Sequence, residues 1–345
     1  MKIGLISSAV PLVQGGGRFI VDWLHAKLHE HGHSVETVYM PHTDEFDQAL
    51  SQMVNYRLME LSDYFDAVVT FRPPSHLIRH PRKIVWFVHH LRIFYDLWNS
   101  AYCPVPDTPS GRALRSCVMD ADNMALREAY RIFANSRVVQ KRLHDFNGID
   151  SEVLYPPVLA PQIFKSEDYG NEIVSVCRME RIKRQHLLIE AIAHSNTPVR
   201  LRLSGVSLDP AYPNFLRKTA QELGVDDRVI IEERWITETE KAKRLAHALA
   251  SAYVPVDEDS YGYPTIEAAH ARRCTITAAD SGAVSEFVID DETGLVADPN
   301  SAAIARAFDS LYVNRGLARR LGEAANSHIS DLGIEWDAVL TRLLS

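Results

Sequence analysis

Four cations, Arg178, Arg181, Lys183 and Arg184, crowd the stretch Val176–Ala191 (VCRMERIKRQHLLIEA), where a strand gives way to a helix. A helix N-terminus carries a positive partial charge, so each cation placed there costs from a few tenths to ~1 kcal/mol. A phosphate or diphosphate held between the cations and the free N–H groups would reverse that penalty. The ordinary alternative, basic side chains reaching into water, leaves several breaches of one rule in one place unexplained. A second stretch, Val254–Ala269 (VPVDEDSYGYPTIEAA), sets Asp259 and Glu267 eight residues apart around Ser260, Tyr261 and Gly262, with Pro264 opening a helix. Paired carboxylates at a strand end are good acceptors for the hydroxyls of a sugar or ribose. The competing readings are dipole pairing for Glu267 and a solvated turn for the acidic run.

Three further places are candidates. Gly15, Gly16 and Gly17 follow the first strand and let backbone approach a phosphate or sugar. They complete neither G-x-G-x-x-G nor G-x-x-x-x-G-K-[ST], so neither a dinucleotide fingerprint nor a P-loop is present. His89 and His90 end the apolar run IVWFVHH. Neighbours on a strand point to opposite faces, so at most one of them reaches a site at the strand end. Ser281 and Gly282 follow another strand and could open a helix, by N-capping or by presenting N–H groups to a ligand. No metal site is expected: H-E-x-x-H and paired Cys are missing, and the cations at 178–184 could neutralise a diphosphate unaided.

The elements that must position these residues alternate. A strand at Lys2–Ser7, a glycine loop, a helix over 18–31 and a strand at Ser34–Met40 begin a parallel β-α-β unit. Strands at 66–71, 83–88, 131–134 and 152–155 and helices at 119–131 and 136–146 continue it, and 99–117, rich in Pro, Ser and Gly, reads as a long surface loop. Pro156, Pro157 and Pro161 mark a linker, after which six more strands alternate with six helices and a last helix closes the chain. The expected division is an N-terminal Rossmann-like domain over 1–157, a second over 158–333, and a C-terminal helix, 334–345, packing back on the first. Two parallel α/β domains in tandem are expected to hold a ligand in a central cleft, beyond the carboxyl ends of their strands.

Composition sets the bounds. The 345 residues suit two domains, and 46% apolar with 24% charged residues is ordinary for a soluble globular chain. A net charge of −8 argues against nucleic acid as a partner. Residues 1–157 carry 16 basic against 17 acidic residues and the remainder 21 against 28, so the nearly neutral first half suits a neutral acceptor or a membrane-surface contact, against the plainer reading of chance variation. Cys103, Cys117, Cys177 and Cys274 form no C-x-x-C pair and read as reduced thiols, the start lacks a signal-peptide pattern, and no run approaches membrane-spanning length. A cytoplasmic protein is expected, with peripheral contact at the inner membrane face through the basic run Arg79–Lys83 (RHPRK) as one possibility against a solvated turn.

Taken together, these segments resemble the retaining glycosyltransferases of family 4, with GT-B architecture. The likeness rests on Arg178-x4-Lys183 before QHLLIEA, on Ser260–Ala269, on SGAVSEFVIDDETGLVADP at 281–299 and on IFANSRVVQKRL at 132–143. The resemblance implies that Arg178 and Lys183 bind the donor diphosphate and that Glu267 binds the ribose. It sets Asp259 and the backbone of Tyr261 and Gly262 at the donor sugar, with His89 beside that sugar from the other domain. It brings Gly16 and Gly17 to the diphosphate or acceptor, and Ser281 and Gly282 to the donor. Departures are Asp259 for the family's Glu, Cys177 and Arg184 for Gly on either side of the Arg-Lys motif, Ser260-Tyr261 for Gly-Phe and Ser281 for Gly.

The expected activity is metal-independent transfer of a mannose-like or glucose-like hexose from a GDP- or UDP-sugar to a glycan or lipid-linked hydroxyl, in polysaccharide or glycoconjugate synthesis. No cofactor is expected beyond that donor substrate. The rivals are a non-catalytic nucleotide-sugar-binding protein and a sugar-nucleotide epimerase of the same two-domain shape.

Overall fold

The computed structural model describes residues 1–10, 15–43, 45–100, 103–256 and 260–345. Its contacts divide the chain into one unit of Met1–Pro156 with Glu335–Ser345 and a second of Pro157–Ile334.

The first unit is built on short apolar strands: β1 (Lys2–Ala9), β2 (Ser34–Pro41), β3 (Ala67–Thr70), β4 (Lys83–Phe87), β5 (Arg131–Ala134) and β6 (Glu152–Val153). They form one sheet in the order β2-β1-β3-β4-β5-β6, every neighbouring pair parallel. β3 and β4 are buried at every residue, as strands covered on both faces must be. The helices are α1 (Gly16–Glu30), α2 (Ala49–Arg57), α3 (Pro109–Arg127) and α4 (Arg137–Asn147).

Two of these helices correct the sequence reading. Gly16 and Gly17 are the first helical residues of α1, with Arg18 and Phe19 N–H groups already bonded to Gly15 O, so they do not belong to a glycine loop. The expected loop over 99–117 ends at Thr108, whose Oγ1 caps α3 by accepting from Gly111 N at 3.1 Å, with Pro109 in the first turn. Pro, Ser and Gly there are start signals of a helix.

The second unit repeats the plan with β7 (Glu172–Val176), α5 (Gln185–His194), β8 (Arg200–Gly205), α6 (Ala211–Glu222), β9 (Val229–Glu233) and α7 (Glu238–His247). It continues through β10 (Ala250–Ala252), α8 (Tyr263–His270), β11 (Thr275–Ala278), β12 (Gly294–Ala297), α9 (Ser301–Val313) and α10 (Arg315–Asp331). The parallel sheet runs β12-β11-β10-β7-β8-β9. Chain order therefore reverses between β7 and β10, and a doubly wound sheet leaves a ligand crevice at the carboxyl ends of such a strand pair. Ile173, Leu201, Leu203, Ala250 and Ile276 from the strands pack with Leu188, Ile192, Leu216, Ile304 and Phe308 from the helices in one apolar core.

The final helix, α11 (Trp336–Leu344), belongs to the first unit, where Trp336, Val339, Leu340 and Leu343 are buried. Arg82 donates to Leu344 O at 2.7 Å, Arg131 to Arg342 O at 2.8 Å, and Arg342 to Val153 O at 2.9 Å. The RHPRK run is thereby largely consumed. Lys83 is fully buried, donating to His76 O at 2.9 Å and Ala125 O at 2.8 Å, so it adds nothing to a surface basic patch. Among the described residues no helix is long and apolar enough to cross a membrane, and the four cysteines are free.

Candidate functional site

The carboxyl ends of β7, β10 and β11 are tied into one knot. Val256 N donates to Ile182 O at 2.9 Å, joining the segment after β10 to the 3-10 turn Arg181–Lys183 that precedes α5. Ser281, fully buried after β11, donates from Oγ to Pro255 O at 2.8 Å and accepts from Ala278 N at 3.3 Å. Its side chain therefore fastens the segment after β10 and makes no cap on the 3-10 helix Gly282–Glu286. On the other flank Met179 N bonds Val206 O at 2.8 Å, and a Cβ at Gly205 would stand 2.0 Å from Cys177 O. Only glycine lets the ends of β7 and β8 come so close.

Tyr253 lies at the centre of the knot. Lys183 Nζ donates to its hydroxyl at 2.9 Å, and Thr277 Oγ1 donates to its backbone carbonyl at 2.8 Å. Gly262, the residue before α8, has φ 88°, and a Cβ there would lie 3.4 Å from the Tyr253 ring and 3.2 Å from Val284. Lys183, Gly262 and the Ser281–Val284 segment thus converge on one ring and its surroundings. Tyr261 is buried against Tyr263 and Phe287, ring centroids 5.0 and 5.2 Å away, so its ring is committed to packing.

The four cations separate into different roles. Arg184 takes φ 54°, an uncommon left-handed conformation for arginine, and is buried. Its guanidinium donates to Val254 O and Pro255 O, both at 2.8 Å, and forms a bidentate pair with Asp280 at 2.8 and 2.6 Å. Arg181 stacks over Tyr212 and Phe215 at 5.5 and 5.2 Å. All four were expected as anion ligands, but Arg184 is structural and Arg181 is held on aromatic faces. Arg178 remains at the end of β7, half-exposed and paired with Glu180 at 2.8 Å. Gln185 braces that turn by donating to Arg178 O at 2.8 Å.

Glu267 lies within α8 and is almost fully buried. Its Oε1 accepts from Lys241 Nζ of α7 at 2.5 Å, and Lys241 also meets Glu238 at 2.8 Å. Burial pushes the Glu267 carboxyl up to about 7, against the pull of the Lys241 ammonium. For Lys241 burial acts downward, but Glu267 and Glu238 outweigh it and hold the ammonium above its ordinary value. The simple dipole reading of Glu267 thus gives way to a specific cross-helix pair. Asp259 lies outside the described residues, as do Asp257 and Glu258.

In the first unit, Gly16 and Gly17 open α1 beyond the carboxyl end of β1, and His89 follows β4. Both histidines lie past the end of β4, and they take different environments. His90 is buried, bonded through Nε2 to Asn147 Oδ1 at 2.8 Å and packed 4.2 Å from the Tyr95 ring. Tyr95 in turn donates to buried Asp122 at 2.6 Å. His89 is half-buried, and its Nδ1 sits 2.6 Å from His90 O. A carbonyl can only accept, so Nδ1 carries the proton and Nε2 offers a lone pair. Burial first, then the Arg72 guanidinium, push its imidazole down to about 3, which keeps it neutral at physiological pH.

Tyr253, Lys241 and the Arg184–Asp280 anchor were not foreseen. Their partners lie 70, 26 and 96 residues away, and no local pattern marks them.

Solved structures share this architecture. Sucrose-phosphate synthase from Thermosynechococcus elongatus superposes with a TM-score of 0.80 at 17% identity, covering 99% of this chain and 97% of that one. HepE from Anabaena, solved with UDP and glucose, gives 0.72 at 16% identity, covering 98% and 99%. A glycosyltransferase from Rickettsia africae gives 0.71 at 16% identity, covering 99% and 97%. The fold is therefore the two-unit α/β architecture of GT-B glycosyltransferases. Residues 160–328, within the second unit, match the model of the glycosyl transferases group 1 family, and the protein is a glycosyltransferase. A comparison with curated protein sequences finds no match.

Proposed function

We propose that this glycosyltransferase is a retaining, metal-independent enzyme of family 4. It would move a hexose from a nucleoside-diphosphate sugar to a hydroxyl of a glycan or lipid-linked acceptor. The observation that carries the reading is the convergence of Lys183, Gly262 and Ser281 on the Tyr253 knot, at the sheet position where chain order reverses. The neighbours solved with UDP and with UDP-glucose support a nucleotide-sugar donor.

In this reading the diphosphate lies between Arg178, Lys183 and the backbone N–H groups at Gly262 and Gly282. Lys183 is oriented by Tyr253, and the two cations take up charge as the bond from sugar C1 to the diphosphate oxygen breaks. The acceptor oxygen bonds C1 on the face the leaving group vacates, and its proton passes to the departing phosphate oxygen. Glu267 accepts from the ribose hydroxyls. Asp259, the backbone of Tyr261 and Gly262, and His89 Nε2 accept from or orient the sugar. Gly16 and Gly17 supply backbone N–H groups at the start of α1.

The test is incubation of the protein with a panel of UDP- and GDP-hexoses, with and without glycan acceptors, following release of free nucleotide. Release with one donor, abolished in Lys183→Ala, supports the reading. Tight donor binding without turnover under any acceptor would overturn it in favour of a binding protein.

A further inference from the structure

Glu267 and Lys241 form a pair more enclosed than a surface ion bridge. They are 2% and 6% exposed, and Nζ meets Oε1 at 2.5 Å. The second oxygen of Glu267 takes no donor among the described residues, and the other partner of Lys241 is Glu238 Oε1 at 2.8 Å. The register of Lys241 is fixed by a capping box, in which Thr237 and Glu240 satisfy each other's backbone N–H groups at the start of α7. Lys241 N then bonds Thr237 O at 2.9 Å, so this lysine reaches α8 from the capped first turn of its helix.

The chemistry of a diol ligand gives this pair a task. A carboxyl taken out of water drifts toward its neutral form, which has a hydrogen to donate and loses an acceptor site. Two adjacent hydroxyls that both donate need an ionised carboxylate. An ammonium on one lone pair of Oε1 supplies the charge balance, fixes the rotamer and leaves the second oxygen to the ligand. We propose that Lys241 is a positioning residue of the donor site, drawing Glu267 toward its ionised form against the effect of burial and orienting it so that it accepts from both ribose hydroxyls, and that it thereby helps to set a preference for ribonucleotides. The proposal rests on the reading of Glu267 as the ribose ligand.

A purely structural bridge between α7 and α8 would affect all ligands alike, and this separates the two roles. UDP, GDP and their 2′,3′-dideoxy counterparts are titrated calorimetrically into the full chain and its variants. The native protein should bind the better ribonucleotide at least about tenfold more tightly than the dideoxy form, the worth of a charge-assisted hydrogen bond. Lys241→Met should weaken the ribonucleotide about tenfold and leave the dideoxy form within about twofold, erasing the preference. Lys241→Arg should recover part of it, and Lys241→Met should add nothing in a Glu267→Gln background.

Because Lys241→Met leaves a buried carboxylate without its cation, Lys241→Gln, which still donates but carries no charge, is measured beside it and should show the same loss. Equal weakening of both ligands in either variant, or an intact ribose preference in both, would overturn the proposal. If Glu267→Gln abolishes the preference while the Lys241 variants keep it, only the role of Lys241 falls. If the native protein shows no preference and Glu267→Gln changes nothing, the ribose reading of Glu267 falls, and this proposal with it.

Discussion

Arg184 and Asp280 meet through two parallel hydrogen bonds, 2.8 and 2.6 Å long, and this pair holds an arginine in a left-handed conformation with φ 54°. The same guanidinium spans two backbone carbonyls after β10, so one side chain fixes the turn that carries Lys183 to the loop that follows Tyr253. Glycine accepts that backbone geometry freely, whereas an L side chain pays for it.

This gives a stability order. Arg184→Gly keeps the backbone relaxed but loses the anchor, at a cost on the order of 1 kcal/mol given the half-exposed Asp280. Arg184→Ala loses the anchor and keeps the strain, so it should fall below Arg184→Gly by ~1–2 kcal/mol. Urea unfolding of the three proteins should rank them native, Gly, Ala. An Ala variant as stable as the Gly variant would refute the strain account.

Lys183 should be essential without being structural. Its amine donates to the Tyr253 hydroxyl and lies over that ring near the surface, so Lys183→Ala should leave the melting temperature within a few degrees. Turnover should drop by ~10²–10³, the usual cost of removing a group that stabilises developing charge. Steady-state nucleotide release alongside a thermal melt measures both.

Glu267 makes stability depend on pH with a definite sign. Its carboxyl is raised by burial to about 7, above the 4.5 of an unhindered glutamate, so between these values the folded state holds a proton that the unfolded chain releases. This contribution is present in full below pH ~4.5 and is lost as pH rises through about 7. Chemical denaturation at pH 5 and pH 7.5 should show a steeper fall for the native protein than for Glu267→Gln.

The two histidines after β4 should fail in different ways. His90→Ala opens a hole among Phe87, Tyr95 and Phe146 and removes the imidazole partner of Asn147 Oδ1, so it should cost ~2–4 kcal/mol of stability. His89→Ala should leave stability nearly unchanged and cut kcat/KM. With its imidazole held at about 3, the activity profile should show no histidine step near pH 6.5 arising from His89.

Much of this was legible in the sequence because strands and helices announce themselves locally. The strand expected at 131–134 forms as β5 (Arg131–Ala134), and the helix expected over 334–345 forms over Trp336–Leu344. The carboxyl-end motifs around Lys183, Gly262 and Ser281 were also visible, since charge, glycine and proline punctuate the ends of elements. What stayed hidden depended on dihedrals or on distant partners. A one-letter Arg184 shows its charge but not its left-handed backbone or its Asp280, and so it passed for an anion ligand. Lys241 looked like any lysine of an amphipathic helix, because its meaning lies in a carboxylate on another helix. Thr108 and Pro109 sit in a stretch whose composition suits loops and helix starts equally, and only the hydrogen bond to Gly111 decides between them.

The return of α11 has a biosynthetic corollary. When the first six strands leave the ribosome, the surface that will receive Trp336, Val339 and Leu343 is still bare, and Arg82 has no Leu344 carbonyl to hold. That half can be finished only after all of Pro157–Ile334 has been translated, so a nascent chain stalled anywhere in the second half should expose a greasy, protease-sensitive patch on the first.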